Sequence, residues 1–208
     1  MSVSTGTRRS RARRGDGDLL RGEILAATGR LLAQLGDEDA VSIRAVAAAV
    51  GVTPPSIYRH FADKDTLIHE VCAAHFREFD AFMQAAGDGA PDALGALLAR
   101  APAYVRFGLD HPEHYRVLFM ARSTHGLDED PDNPGTAAFA HLVGAVQAAI
   151  DEGALTAGDA VLYALGLWSA LHGVTSLLIS LPNFPWPEAE DLARHVARTQ
   201  LRGLGALV

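Results

Sequence analysis

From about Asp18 to the end of the chain, apolar side chains recur every three or four residues. No stretch sustains the two-residue alternation, rich in Val, Ile and Thr, of a half-buried strand. This period points to an all-α protein of about nine helices. With 208 residues, 49% of them hydrophobic, the chain can bury one large core or two modest ones. The period is missing from residues 1–17, which are rich in Arg, Ser and Gly and almost devoid of apolar side chains, so a flexible basic arm is expected there. The arm carries Arg8, Arg9, Arg11, Arg13 and Arg14. Gly-Asp-Gly-Asp follows where a secretory signal would need an apolar run, so no export signal is read. The single cysteine, Cys72, can form neither an internal disulfide nor a Cys-based metal cluster, and a reducing, cytoplasmic location is expected.

Start and stop signals divide the periodic region. A first helix is expected from about Leu19 to Leu35, with Leu20, Ile24, Leu31 and Leu35 on one stripe, Asp16 or Asp18 as cap and Gly36 as stop. Ser42 precedes a short apolar helix, Ile43 to Val50, stopped by Gly51. Thr53 then caps a second short helix, with Pro54 at the first position, where its missing N–H is harmless. A long helix from about Lys64 to Ala86 follows, and Gly87 to Pro91 is the domain-junction candidate. Further helices are expected at about 91–109, 112–122, 134–152, 157–181 and 187–206. The domain reading is an arm at 1–17, a helix-turn-helix domain at 18–66 and a larger helical domain at 67–208.

Two short helices joined by a tight turn at Gly51-Val52 cross steeply, and the second can then enter a major groove. At 100° per residue Ile57 and Phe61 share one side of that helix, and Arg59 falls opposite, flanked by Pro55, Ser56 and Tyr58. Arginine can read guanine or bind phosphate, and Tyr58 and Ser56 can reach phosphate or base edges. Charge agrees once it is split. Residues 1–66 hold ten Lys and Arg against eight Asp and Glu, whereas 67–208 hold eight against seventeen, for a whole-chain net of −7. Polyanion binding depends on where positive charge sits, so an acidic total does not exclude DNA.

Over roughly residues 19–68 the chain resembles the tetracycline-repressor (TetR/AcrR) family of bacterial regulators. The residues that carry this are Ile-Leu-Ala-Ala in the first helix, Ser-Ile-Arg before the Ala-rich second, Gly-Val-Thr at the turn, and Ile-Tyr-Arg-His-Phe followed by Asp-Lys-Asp-Thr-Leu-Ile. Pro54-Pro55 departs from the pattern, since many relatives carry a glycine there. The resemblance implies DNA contacts by Thr53, Ser56, Tyr58, Arg59, His60 and Lys64, with Arg44 near phosphate. It also implies a homodimer on an inverted-repeat operator in double-stranded DNA, repression by default, and a small-molecule effector bound in the larger domain. Plainer readings stand beside these. Tyr58 can pack on the first helix, His60 can be half-buried, Lys64 can be solvated, and the arginine run can be either solvated or laid in the minor groove.

Ala160 to Leu181 holds no formal charge, long enough to raise a membrane span. His172, three serines, Thr175 and the lack of flanking Lys or Arg speak against one. A helix apolar on nearly all sides fits burial on both faces, against its own domain and against a partner. In the family the last two helices form a four-helix bundle with their copies. Leu167, Leu171, Val174 and Leu178, with Leu192 and Val196, are the expected contact residues, and Gly166, Ser169 and Gly173 would permit close approach. A second, weaker resemblance to family effector domains rests on His111-Pro-Glu-His-Tyr-Arg-Val-Leu-Phe and Leu167-Trp-Ser-Ala-Leu-His-Gly. Tyr104, Phe107, Tyr115, Phe119, Phe139, Tyr163, Trp168 and His172 are the candidate ligand-lining residues, with plain core packing as the alternative for each.

An enzyme is the rival from another class. The chain carries no His-Glu-x-x-His pair, phosphate loop or nucleophile elbow, and His111 and His114 read as a surface pair at a helix start. No catalysis, metal or cofactor is expected. The remaining rivals are a helical adaptor that binds protein and a constitutive DNA-binding protein without an effector.

Overall fold

The computed structural model describes residues 16–121 and 133–207. Nearly all of the expected basic arm, including its five arginines, lies outside the described residues. Among the described residues there are nine α-helices and no strand. They are α1 (Asp16–Leu35), α2 (Ile43–Val50), α3 (Pro54–Ile57), α4 (Lys64–Gly87), α5 (Ala93–Asp110), α6 (Pro112–Phe119), α7 (Pro134–Asp151), α8 (Ala160–Ser180) and α9 (Ala189–Gly203). A short 3-10 helix, Glu38–Ala40, lies between α1 and α2.

Local chemistry accounts for the ends. Ser42 Oγ accepts from the Ala45 amide at 3.1 Å and caps α2, and Gly51 closes it at φ +73°, a left-handed conformation that glycine adopts without strain. Asn133 and Asp159 cap α7 and α8 in the same manner. Two expectations are corrected. α1 already begins at Asp16, so Asp16 and Asp18 stand within its first turn and do not precede it. Thr53 occupies the cap position of α3 but makes no capping bond, its hydroxyl being 3.2 Å from Ser56 Oγ.

The chain divides into two compact units, Met1–His75 with Arg116–Gly126, and Phe76–Tyr115 with Leu127–Val208. α4 and α6 contribute residues to both. The core of the first unit gathers Ile24 and Leu32 of α1, Val46 and Ala47 of α2, Ile57 and Phe61 from α3 and its exit, and Leu67, Ile68 and Val71 of α4. Arg21 pairs with Glu70 and lies 5.0 Å from the Phe61 ring centroid, so α1, α4 and the end of the short helix meet at one guanidinium.

In the second unit, Val146 and Ala149 of α7, Ala164 and Leu167 of α8 and Leu201 of α9 form one cluster; Val105, Leu178 and Ala193 form another. α5 and α8 cross where Gly108 has no side chain. A Cβ there would stand 2.3 Å from Cγ2 of the fully buried Thr175. Arg100 of α5 donates through Nε to the Met83 carbonyl in the last turn of α4 and through Nη2 to Gln84, a cation placed at the negative end of that helix.

Candidate functional site

In the first unit the site is built on the exit from Gly51. Val52 N–H returns to the Ala47 carbonyl at 2.9 Å, which closes the turn. Pro54 opens a single helical turn, and His60 and Phe61 both donate from their amides to the Ile57 carbonyl, so the backbone coils on past the helix proper. Ile57 is 0% and Phe61 2% exposed, and these two side chains hold the segment down. Tyr58, between them in sequence, is 54% exposed. Arg59, Arg44 and Thr53 are exposed as well, and Ser56 and His60 are half-buried.

Arg59 Nη2 donates to Ser56 Oγ at 2.9 Å, and Ser56 in turn meets Thr53. The outward side of α3 is therefore a short ladder of Thr53, Ser56 and Arg59, one helical turn per step, beside the phenol of Tyr58. Such a ladder offers hydroxyl and guanidinium donors together, the chemistry that phosphate oxygens and base edges accept.

Lys64 has a different setting from its neighbours. Its ammonium donates to the Glu38 carbonyl at 3.0 Å and lies 3.9 Å from the Asp39 carboxylate, with 30% of the side chain exposed. A cation at a helix N-terminus is disfavoured by the dipole, and here the partners that offset it come from the 3-10 helix 26 residues earlier. The cap of α4 is Asp63, whose Oδ1 accepts from the Thr66 amide at 2.7 Å. These bonds to Thr66 hold its carboxyl below the usual carboxylate range. No cap for this helix is named in the sequence analysis. The spacing of Asp63 three before Thr66 and directly ahead of an apolar period was the available signal.

In the second unit the candidate ligand residues separate. Tyr104, Tyr115, Trp168 and His172 come together in one hydrogen-bonded chain. Trp168 Nε1 donates to the Tyr104 hydroxyl at 3.1 Å, that hydroxyl is 3.2 Å from Tyr115 Oη, and Tyr115 Oη is 2.7 Å from His172 Nδ1. His172 Nε2 lies 3.3 Å from Ser176 Oγ, a member that sequence reasoning missed although it sits one further turn along the helix face of Trp168 and His172. Burial pushes Tyr115 up to about 12 and Tyr104 well above the ordinary phenol value, and burial pushes His172 down. The half-buried Phe139 ring stands 5.9 Å from Trp168.

The other aromatics do different things. Phe107 is 1% exposed and packs on Phe79 and Phe82, a core position. Tyr163 is half-buried in the α7–α8 cluster, its hydroxyl against Gly158. Phe119 belongs to the first unit and not the second.

Within its own chain the expected contact face of α8 is already partly covered. Leu167 and Leu178 are 5% and 8% exposed within their own chain, and Leu171 and Val174 pack against the cluster of Val105, Leu178 and Ala193. The side left open carries Val161 45%, Leu162 64%, Leu165 38% and, at its edge, Leu177 48% exposed; Leu181, the residue just past the helix, is 49% exposed. On α9, Leu192 and Val196 are half-buried beside the inward Ala193, Ala197 and Leu201. By length and composition α8 could cross a membrane, and 22% of its most apolar window is buried inside the chain.

Two family models match the chain. One, described as bacterial regulatory proteins of the tetR family, covers residues 24–71; the other, described as tetracyclin repressor-like, C-terminal domain, covers residues 97–200. No curated protein matches the sequence. Among solved structures, a protein of unknown function from Rhodococcus sp. RHA1 superposes with a TM-score of 0.73 at 27% identity, over 89% of this chain and 95% of that one. A TetR family transcription regulator from Marinobacter aquaeolei VT8 gives 0.76 at 20% identity, over 90% and 98%. A putative transcriptional regulator from Pseudomonas aeruginosa PAO1 gives 0.72 at 22%, over 90% of each. The last two likenesses are of fold alone.

Proposed function

The chain belongs to the tetR family of bacterial regulatory proteins and is a DNA-binding transcriptional regulator, and on that premise we propose that it is a repressor. It holds an inverted-repeat operator as a homodimer in the cytoplasm and lets go when a small apolar or aromatic molecule enters the second unit. The observation that carries this reading is the pairing of a pinned inner side of α3, through Ile57 and Phe61, with an outer side of hydroxyl and guanidinium groups. A two-fold dimer presents two such helices to half-sites related by the same symmetry.

In this reading Arg59 reads bases, with Thr53, Ser56, Tyr58 and His60 around it. Arg44 and Lys64 serve phosphate, Lys64 while also tying the 3-10 helix to α4. The open apolar side of α8, with Leu192 and Val196 of α9, meets its copy. Leu177→Glu would place an unpaired charge there and give monomers in sedimentation. Intact dimers for that variant would move the interface elsewhere. Release has a path in α4, which runs unbroken from Lys64 to Gly87 and supplies residues to both units.

Binding of the purified protein to inverted-repeat duplexes from the region upstream of its own gene, compared with scrambled duplexes of equal composition, tests the reading. Preferential binding that falls steeply with salt is expected, because several phosphates are neutralised. Equal binding to both duplexes would refute it.

A further inference from the structure

We propose that His75, Glu78 and His114 form a binding site for one zinc ion, which fastens α4 to α6. The proposal goes beyond the repressor reading and does not depend on it.

α4 supplies two of the three groups. His75 and Glu78 are three residues apart on that unbroken helix, the spacing that puts two side chains on one face a turn apart. α6 supplies the third: His114, near its start, brings Nδ1 to 3.0 Å from Glu78 Oε2. One ligand atom from each of the three lies within 4.8 Å of the other two. Glu78 and His114 belong to the same unit, and His75 is placed by the helix that carries Glu78. The cluster is therefore set by one helix and by the packing inside one unit. No spacing motif announces it, because His114 is far along the chain from α4 and meets Glu78 only through folding.

The donor set selects the ion. Two imidazoles and a carboxylate offer nitrogen and oxygen together, a combination that zinc takes, whereas calcium and magnesium take oxygen throughout. Around a tetrahedral zinc with bonds of about 2.0–2.1 Å, neighbouring ligand atoms stand about 3.3 Å apart. The 3.0 Å between Nδ1 and Oε2 is already close to that edge, and the 4.8 Å bound on the other separations leaves a gap that turning one imidazole can close. An ion pair needs only one imidazole beside the carboxylate; a metal ion uses both.

Access agrees with this. The Glu78 side chain is 47% and that of His114 33% exposed, and His75 is half-buried, so an ion can reach the cluster from solvent. Three protein ligands leave a fourth tetrahedral position for water. The His111 ring stacks on His114 at 5.4 Å and limits how far that imidazole can swing.

The test uses the full, untagged chain, stripped with a chelator and given zinc alone. Calorimetry should show one ion bound per chain, and the unfolding midpoint should rise by about 5–10 °C at a hundredfold excess of zinc over its Kd. His75→Gln, Glu78→Gln and His114→Gln should each weaken zinc binding by about a hundredfold or more, since even an outer-shell partner of a metal ligand is worth about 10–100-fold. His141→Gln, which removes an imidazole from the separate pair with Asp80, should leave zinc binding unchanged. Midpoints without metal show whether each variant folds. Cobalt(II) in the unmodified chain gives an answer that needs no variant: the strong visible absorption of a four-coordinate ion is expected. A weak, six-coordinate cobalt spectrum, zinc binding that survives all three substitutions, or a midpoint that zinc leaves in place would overturn the proposal.

Discussion

The two units handle polar side chains in opposite ways. In the first, Thr53, Ser56 and Arg59 form a ladder on the outside of α3, where water satisfies whatever the ladder does not, and the core beneath is nearly all hydrocarbon, its buried Thr28 hydroxyl bonded back to the Ile24 carbonyl of its own helix. In the second, hydroxyls, an indole and an imidazole are threaded through the interior, each dependent on the next. A surface that must exchange water for phosphate keeps its donors wet, because donors already buried would have nothing to gain. In the second unit the buried tyrosine hydroxyls have no such recourse, and each hydrogen bond made or missed there counts for more.

The largest expected effect tests the support under the wet ladder. Ile57→Ala should destabilise the protein by about 2–5 kcal/mol in urea unfolding, since Ile57 is fully buried and its removal leaves a cavity. A loss below about 1 kcal/mol would mean that α3 is not held by its inner side. Next comes the direct contrast of the units. Tyr115→Phe takes a bonding partner from both Tyr104 and His172 and should cost about 1–3 kcal/mol of stability. Ser56→Ala, on the wet side, should stay within about 0.5 kcal/mol. Equal effects would erase the distinction.

Function should invert that order. Arg59→Ala should leave unfolding nearly unchanged yet weaken operator binding by about 1–3 kcal/mol and relax sequence preference. Lys64→Ala should weaken all duplexes alike, flatten the salt slope and, because its ammonium holds the Glu38 carbonyl, also lower stability slightly. Identical profiles for the two would refute their division of labour.

The smallest effect is a pH dependence. The unfolded chain takes up a proton at His172 near the ordinary value of 6.5, while the folded chain does so only at lower pH. Between those two values the unfolded state binds more protons, so stability is present above 6.5 and is lost as pH falls through that window. Unfolding midpoints between pH 7.5 and 5 should decline, and His172→Gln should remove part of the slope. An unaltered slope in that variant would show that the imidazole is not held neutral.

Much of the first unit could be read from residues in order, because its determinants are local. Ser42 three before Ala45, Gly51 at the end of α2, Pro54 at the start of α3 and the 100° separation of Ile57 from its neighbours all act within one or two turns. The partners of Lys64 escaped that reading because they lie 26 residues away on a segment with no periodic signal. The chain of bonds in the second unit joins positions 57 and 64 residues apart, and sequence could group its aromatics but not distinguish the bonded Tyr104 and Tyr115 from the packed Phe107. α8 shows the limit most plainly. An amphipathic helix announces its inner side by composition, as α9 does with Ala193, Ala197 and Leu201 inward and Arg198 and Arg202 outward. α8 is apolar all round, so its sequence determined that it is a helix and that more than one surface wants cover. Only packing against α5, α7 and α9 decided that Leu167 and Leu178 go inward and Leu162, Leu165 and Leu177 remain open, because burial is a property of what lies opposite a side chain and not of the side chain itself.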